Sequence, residues 1–289
     1  MDLFIQQICS GLATGAIYAS LALALVMIFN STSHINFAQG EMALLSTYFA
    51  WTLLAVGIPY WAAFLITIVI SFGFGVVVER TIIRSFHNAQ HLSLVVVFVG
   101  LLLAFNALAA WIWGSLLKEF PSPVRSFSTG TPLIGAHELF VLLVMLGLLG
   151  GLYVFFRFTT LGLAMRAAAR NPVSARLVGI RVGWMLALGW GLAGALGAVA
   201  GMLVAPIVYL DPNMMIGILL YAFASAMLGG LGNPAGAVAG GLIFGIMENI
   251  VGTYLIGHEL KLTFALVMVV AVLLVRPAGL FGKVIVKRV

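Results

Sequence analysis

Long apolar runs, separated by short polar or glycine-rich breaks, repeat along the whole chain. Runs of bilayer-spanning length occur at 8–29, 59–78, 92–117, 138–156, 184–208 and 262–280. Shorter or glycine-interrupted runs occur at 41–56, 214–231 and 236–257. A helix rises about 1.5 Å per residue, so about 20 residues cross a hydrocarbon layer of about 30 Å. The pattern predicts an all-α fold, a polytopic transmembrane helix bundle of about 8–9 spans with one or two broken or re-entrant segments. Whether 41–56 crosses the bilayer or only enters it separates nine spans from eight. The longest polar stretches, 118–137 and 157–183, leave no room for a soluble domain, so residues 1–289 read as a single transmembrane domain.

Composition removes the competing class. The chain is 63% hydrophobic and 8% charged, with a mean hydropathy of +1.19. A soluble domain carries roughly 25% charged residues, so this chain could not cover its own surface with water-binding groups. The net charge of +6 does not point to nucleic acid, because no aromatic residues alternate with a basic groove. The single cysteine, Cys9, can form neither an internal disulfide nor a zinc site. His87 and His91 are four residues apart but have no third ligand, so no metal site is expected. The N-terminus lacks the positive region of a signal peptide, and its apolar run continues to Phe29, which reads as a retained first span.

Charge instead sets topology. Arg80 and Arg84 form one basic loop. Arg157, Arg166, Arg170, Arg176 and Arg181 form a second, and Arg276, Lys283, Lys287 and Arg288 form a tail. Even numbers of runs separate these clusters, so all three face one side, the cytoplasm by the positive-inside rule. That leaves Lys118, Arg125 and Lys261 outside, with Asp2, Glu119, Glu138, Asp211 and Glu259. Small-xxx-small pairs at Gly11/Gly15, Gly147/Gly151, Gly197/Gly201, Gly236/Gly240 and Gly241/Gly245 argue for close helix packing.

The breaks between spans carry the candidate chemistry. Asn30-Ser-Thr-Ser-His-Ile-Asn-Phe-Ala-Gln-Gly-Glu41 interrupts a hydrophobic stretch. It reads either as a broken helix beside a solute path, with Asn36, Gln39 and Glu41 lining it, or as an interfacial turn with Glu41 at a helix N-terminus. Gly229-Gly-Leu-Gly-Asn-Pro-Ala-Gly236 reads as a tight turn between packed helices; no lysine follows it, so it is not a phosphate loop. Asn106, Asp211, Asn213 and Glu248 are the other polar candidates for a path, with helix–helix hydrogen bonding as the alternative role. In the loop 157–183, Arg166 and Arg170 lie one helical turn apart. Asn171 fits an N-cap, Pro172 the first helical position and Gly179 a left-handed C-terminal residue, which predicts a helix over 172–178. A helix that short must dock on something.

That loop, Gly162-x-x-x-Arg166-Ala167-x-x-Arg170-Asn171-Pro172-x-x-Ala175-x-x-x-Gly179-Ile180, resembles the ATPase-coupling loop of branched-chain amino acid (Liv-type) ABC importer permeases. The resemblance extends to Gly15-Ala-x-Tyr18, Ile35-Asn-Phe-Ala-Gln-Gly40, Gly229–Ala237 and Arg276-Pro-x-Gly-Leu-Phe-Gly282, nearly the whole chain; Gln39 departs from the histidine common there. It implies a non-enzymatic permease subunit in a bacterial-type inner membrane with a cytoplasmic C-terminus. The implied partners are a second homologous permease, two ATP-binding subunits and an extracytoplasmic solute-binding protein. The chain itself would hold no cofactor, with ATP and Mg in the partner subunits. Urea and amide importers share the family, so the resemblance leaves the substrate open. An ion-coupled secondary transporter and a channel are the competing readings.

Overall fold

A computed structural model describes residues 2–32, 34–86, 90–124 and 134–282. Ser33, His87, Arg125, Lys283, Lys287 and Arg288 lie outside the described residues. Among the described residues eleven α-helices follow one another: α1 (Asp2–Thr32), α2 (Gln39–Ala55), α3 (Tyr60–Thr81), α4 (His91–Trp113), α5 (Ala136–Phe158), α6 (Thr160–Arg170), α7 (Pro172–Leu177), α8 (Val182–Val208), α9 (Met214–Gly229), α10 (Pro234–Val251) and α11 (Lys261–Val275). Among the described residues the extended pairing is one antiparallel bridge, Lys118 with Leu210. The fold is all-α, as the hydrophobic pattern requires.

Among the described residues six stretches are long and apolar enough to cross a membrane: Leu3–Asn30, Tyr60–Phe86, Leu92–Trp113, Ala136–Phe158, Val182–Val208 and Pro234–Ile256. Met214–Gly229 and Lys261–Val275 are shorter apolar helices. Several ends fall inside the apolar runs, each for a local reason. The run 92–117 stops being helical at Trp113 because Gly114 turns to φ 77°. The run 262–280 stops at Val275, where Pro277 forces Arg276 out of the helical region, to φ −150°. Beyond Val251 the chain continues as a π-helical turn, Gly252–Ile256, before Gly257 at φ 79°.

The chain divides into two compact units. The first comprises Met1–Val26, Val124–Met145 and Gly217–Val289. Its helices meet backbone to backbone. A Cβ at Gly11 would lie 2.8 Å from Ile246 Cα, and one at Gly15 would lie 2.9 Å from the Gly241 carbonyl oxygen. Gly241 and Gly245 return the contact, against Ala19 and Gly15. In a bilayer such approaches replace the hydrophobic drive with dispersion between close backbones. Gly240 meets Gly229 in the same way, so α9 and α10 close into the tight turn read from the sequence. The C-terminal segment stitches that turn: Leu280 N–H donates to the Leu228 carbonyl at 2.8 Å, and Asn233 Nδ2 to the Phe281 carbonyl at 3.0 Å.

The second unit comprises Met27–Pro123 and Leu146–Ile216. Its centre is α8, packed on α3, α2 and α6. Trp190 is fully buried and ring-stacked with Phe98. A Cβ at Gly191 would meet Phe72 and Val76 at 2.9 Å, and Gly201 faces Ala43 and Thr47. The pair Gly147/Gly151 behaves differently from the others. Nothing lies within 4 Å of a Cβ built at either position among the described residues.

This contrast sets the first prediction. Gly245→Ala should destabilise the purified protein by about 1–3 kcal/mol, since the added methyl meets backbone. Gly151→Ala should be neutral or stabilising by up to about 1 kcal/mol, from better helix propensity. Thermal unfolding in detergent micelles measures both; equal losses would contradict the packing described.

Candidate functional site

The first polar break folds into a compact turn. Between α1 and α2, Asn36 Oδ1 accepts from the Ala38 N–H at 3.1 Å, and the Asn36 carbonyl accepts from the Gln39 N–H at 3.3 Å. The Asn36 amide donates to Gln39 Oε1 at 3.4 Å. Gln39 Nε2 in turn donates to the Ala193 carbonyl of α8 at 2.9 Å. It fits there because residue 197 is glycine: a Cβ on Gly197 would sit 3.0 Å from that amide nitrogen. Both side chains are fully buried.

Two residues on, Glu41 is buried in the first turn of α2, where the helix dipole favours an anion. Asn106 of α4 donates to Glu41 Oε2 at 3.3 Å and to the Pro212 carbonyl at 2.7 Å. Asp211 Oδ1 accepts from the Asn213 N–H at 2.6 Å and shapes the entry to α9. The second unit therefore joins Glu41, through Asn106, to the backbone between Asp211 and Asn213. Asn36 and Gln39 form a separate pair that reaches α8.

Glu248 belongs to the first unit and has other partners. Its carboxylate is 3% exposed and lies 3.0 Å from Lys261 Nζ. Tyr18 donates to its second oxygen at 3.3 Å. Lys261 also donates to Asn249 Oδ1 at 2.9 Å, and Asn249 Nδ2 to Thr14 Oγ1 at 3.4 Å. Lys261 and Tyr18 were not among the polar candidates read from the sequence. Lys261 reads there as an external charge. The available signal was a lysine opening an apolar run, 13 positions after an intramembrane glutamate.

The basic loop folds as its capping residues dictate. Thr159 caps α6, its Oγ1 accepting from the Gly162 N–H at 3.0 Å. Gly162 lets α6 turn back on the end of α5, since a Cβ there would lie 2.7 Å from Phe156 Cα. Asn171 caps α7 by accepting from the Ser174 N–H at 3.0 Å, with Pro172 at the first position. The Gly179 N–H bonds the Arg176 carbonyl and the Ile180 N–H bonds the Ala175 carbonyl, both at 3.0 Å, with Gly179 at φ 84°. This is a Schellman ending. The helix runs 172–177, one residue short of the expected span.

One face of α7 is docked and the other is open. Ala175 is buried with Ala168, Val182 and Leu186, while Ile180 packs against that cluster. Val173, Leu177 and Val178 are 67%, 84% and 76% exposed. Arg166 and Arg170 are exposed on α6, and Ala167 is half-buried. A cavity of about 370 Å³, lined by Ala164, Ile180, Arg181, Trp184, Met185 and Leu188, lies next to this loop. The Arg80 guanidinium stacks 3.7 Å over Trp184.

Apolar helices of spanning length, with polar groups buried and paired within them, define a polytopic helical membrane protein. The chain belongs to the branched-chain amino acid permease family: the model described as "Branched-chain amino acid transport system / permease component" matches residues 7–273. Curated relatives match end to end. The high-affinity branched-chain amino acid transport system permease protein LivH of Escherichia coli (strain K12) is 31% identical, over 99% of this chain and 98% of that protein. LivH of Salmonella typhimurium and BraD of Pseudomonas aeruginosa are each 30% identical, with the same coverage.

The Asn106 junction is open to test. Asn106→Ala removes the donor to Glu41 and to Pro212 and should cost about 1–3 kcal/mol of stability. Asn213 contributes only its backbone N–H there, so Asn213→Ala should stay within about 0.5 kcal/mol of the parent. Chemical denaturation of the two variants measures the difference, and equal stabilities would remove Asn106 from the junction.

Proposed function

We propose that this chain is the membrane-spanning permease subunit of an ATP-driven importer for branched-chain or other amino acids. In this reading all of residues 1–289 act as one permease domain of eight or nine spans in a bacterial-type inner membrane, with the C-terminus in the cytoplasm. A second permease completes the path, two ATP-binding subunits supply ATP and Mg chemistry, and an extracytoplasmic binding protein delivers the solute. The chain performs no catalysis of its own.

The observation that carries this reading is α7. Six residues are too few for a free helix to persist in water, yet this one has both caps filled and Ala175 locked against α8. Its opposite face leaves Val173, Leu177 and Val178 uncovered, flanked by the exposed arginines 166, 170 and 176. Covering such apolar side chains contributes about 1.5–3 kcal/mol each. A cytoplasmic subunit that seats on them can push on Ala175 and through it on α8, the central helix of the second unit. Gly162, Arg166, Ala167, Arg170, Asn171, Pro172, Ala175, Gly179 and Ile180 build this lever. Asn36, Gln39, Glu41, Asn106, Asp211, Asn213 and Glu248 are the polar groups assigned to the solute path.

The lever is tested in the reconstituted complex. Gly179→Val strains a backbone at φ 84° and unseats the end of α7, while Arg166→Glu reverses an exposed charge beside it. Both should leave ATP hydrolysis running while solute uptake falls about tenfold or more. Normal uptake by both variants would remove α7 from coupling, and uptake by the chain without the ATPase subunits would make it a secondary transporter or a channel.

A further inference from the structure

We propose that the Glu248–Lys261 pair is the receptor for the zwitterionic head group of the transported amino acid, held closed at rest by its own opposite charges. The inference rests on the amino-acid reading above and names the residues that would recognise that substrate class.

Glu248 lies within an apolar helix that reads as membrane-embedded, and Lys261 is the first residue of the next apolar helix; a buried charge such as Glu248 is costly alone and persists when paired. Each partner is fully engaged. Glu248 holds Lys261 on one oxygen at 3.0 Å and Tyr18 on the other at 3.3 Å, and Lys261 also binds Asn249 at 2.9 Å. An α-amino acid presents the same two groups, an ammonium and a carboxylate, on adjacent atoms. Its ammonium can take the place of Lys261 at Glu248 while its carboxylate takes the place of Glu248 at Lys261. The site then stays neutral at each stage, and neither charge is left uncompensated. A cation or an anion alone cannot make this exchange. The pair is therefore selective for zwitterions by charge conservation.

Two further features fit. Aromatic rings crowd the pair: Tyr18 lies 5.2 Å from Tyr221 and 6.1 Å from Phe244, which is 6.0 Å from Phe264. These rings make the surroundings of Glu248 apolar. The regular helix also ends beside the pair. The π-helical turn Gly252–Ile256 separates Glu248 from Lys261, and the Lys261 stem lies on Gly252, where a Cβ would meet Lys261 Cε at 2.6 Å. Glu248 is 3% exposed but Lys261 is 17% exposed, so the pair is approached from the lysine side.

The alternative is a purely structural tie between α10 and α11, and the double variant separates the two. Glu248→Gln, Lys261→Gln and the double substitution are placed in the complete transporter in proteoliposomes, with the parent as control. Thermal stability, ATPase stimulation by loaded binding protein, and amino acid moved per ATP are all measured. Each single variant leaves one charge unpaired and should lose stability. The double variant should regain parental stability and ATPase stimulation, yet move about tenfold less amino acid per ATP, because two charge-assisted hydrogen bonds to substrate are gone. If the double variant regains transport as well, the pair is structural and the proposal falls. If it regains neither stability nor transport, the milder Lys261→Arg decides. That variant keeps the ion pair but changes donor geometry; it should raise the half-saturating substrate concentration with stability unchanged, and unchanged kinetics would overturn the proposal. A parent complex that moves no amino acid would defeat the functional reading itself, a result distinct from each of these.

Discussion

The polar chemistry of this chain depends on helices approaching so closely that backbone meets backbone. On α1 and α10, Gly15 and Gly245 face each other, and the residue three positions beyond each is Tyr18 and Glu248. Residues three apart share a helix face, so the glycine contact brings the tyrosine hydroxyl within 3.3 Å of the carboxylate. Leucine at either glycine would separate the helices by a side-chain diameter and leave a buried carboxylate with one partner fewer. The α2–α8 crossing follows the same rule. Gly197 and Gly201 admit Gln39, Ala43 and Thr47, and the gap at Gly197 lets the glutamine amide reach the Ala193 carbonyl. Small residues thus decide where the large polar ones can be satisfied.

Satisfaction is the second constraint, because hydrocarbon offers no water to an unpaired group. The two units meet it in different ways. In the first, Glu248 is neutralised by a lysine and tied in by a neutral donor, the Tyr18 hydroxyl of α1. In the second, Asn106 serves both the Glu41 carboxylate and the free carbonyl of Pro212. The Pro212 carbonyl precedes α9 and accepts from this amide, which has two hydrogens to give. One side chain therefore holds a carboxylate and closes a helix entry together.

Much of this was legible in the sequence, and the reasons are local. Asn171, Pro172 and Gly179 act through hydrogen bonds within eight residues, so their spacing alone set α7 to within one residue. The turn at 229–236 was equally readable, since glycine and proline act on their own backbone. What escaped was tertiary. Nothing in the order of residues pairs Lys261 with Glu248, because they sit on different helices and meet only through the fold of the segment 252–260 between them. The glycine pairs were all readable as contacts, yet Gly147/Gly151 faces nothing within 4 Å among the described residues. The small-xxx-small spacing states that a helix can be approached, and only a partner helix decides that it is.

The ending of α11 shows how sequence signals combine with those contacts. Pro277 stops the helix, and Gly279, at φ 78°, turns the chain back toward the α9–α10 turn. There Leu280 and Phe281 bond the carbonyls of Leu228 and Gly229, the last residues of α9. Those carbonyls have no partner inside their own helix, because a helix leaves its final carbonyls unfilled. A short tail segment thus completes the end of another helix, and Asn233 closes the loop by donating to Phe281. Gly229 and Gly236 leave room for each other, a side chain on Gly279 would meet Gly230, and one on Gly230 would meet Ala278 and Gly282. The motif Arg276-Pro-x-Gly-Leu-Phe-Gly282 is therefore one half of a two-part joint whose other half is Gly229–Ala237, which gives a physical reason for the two motifs to occur in one chain.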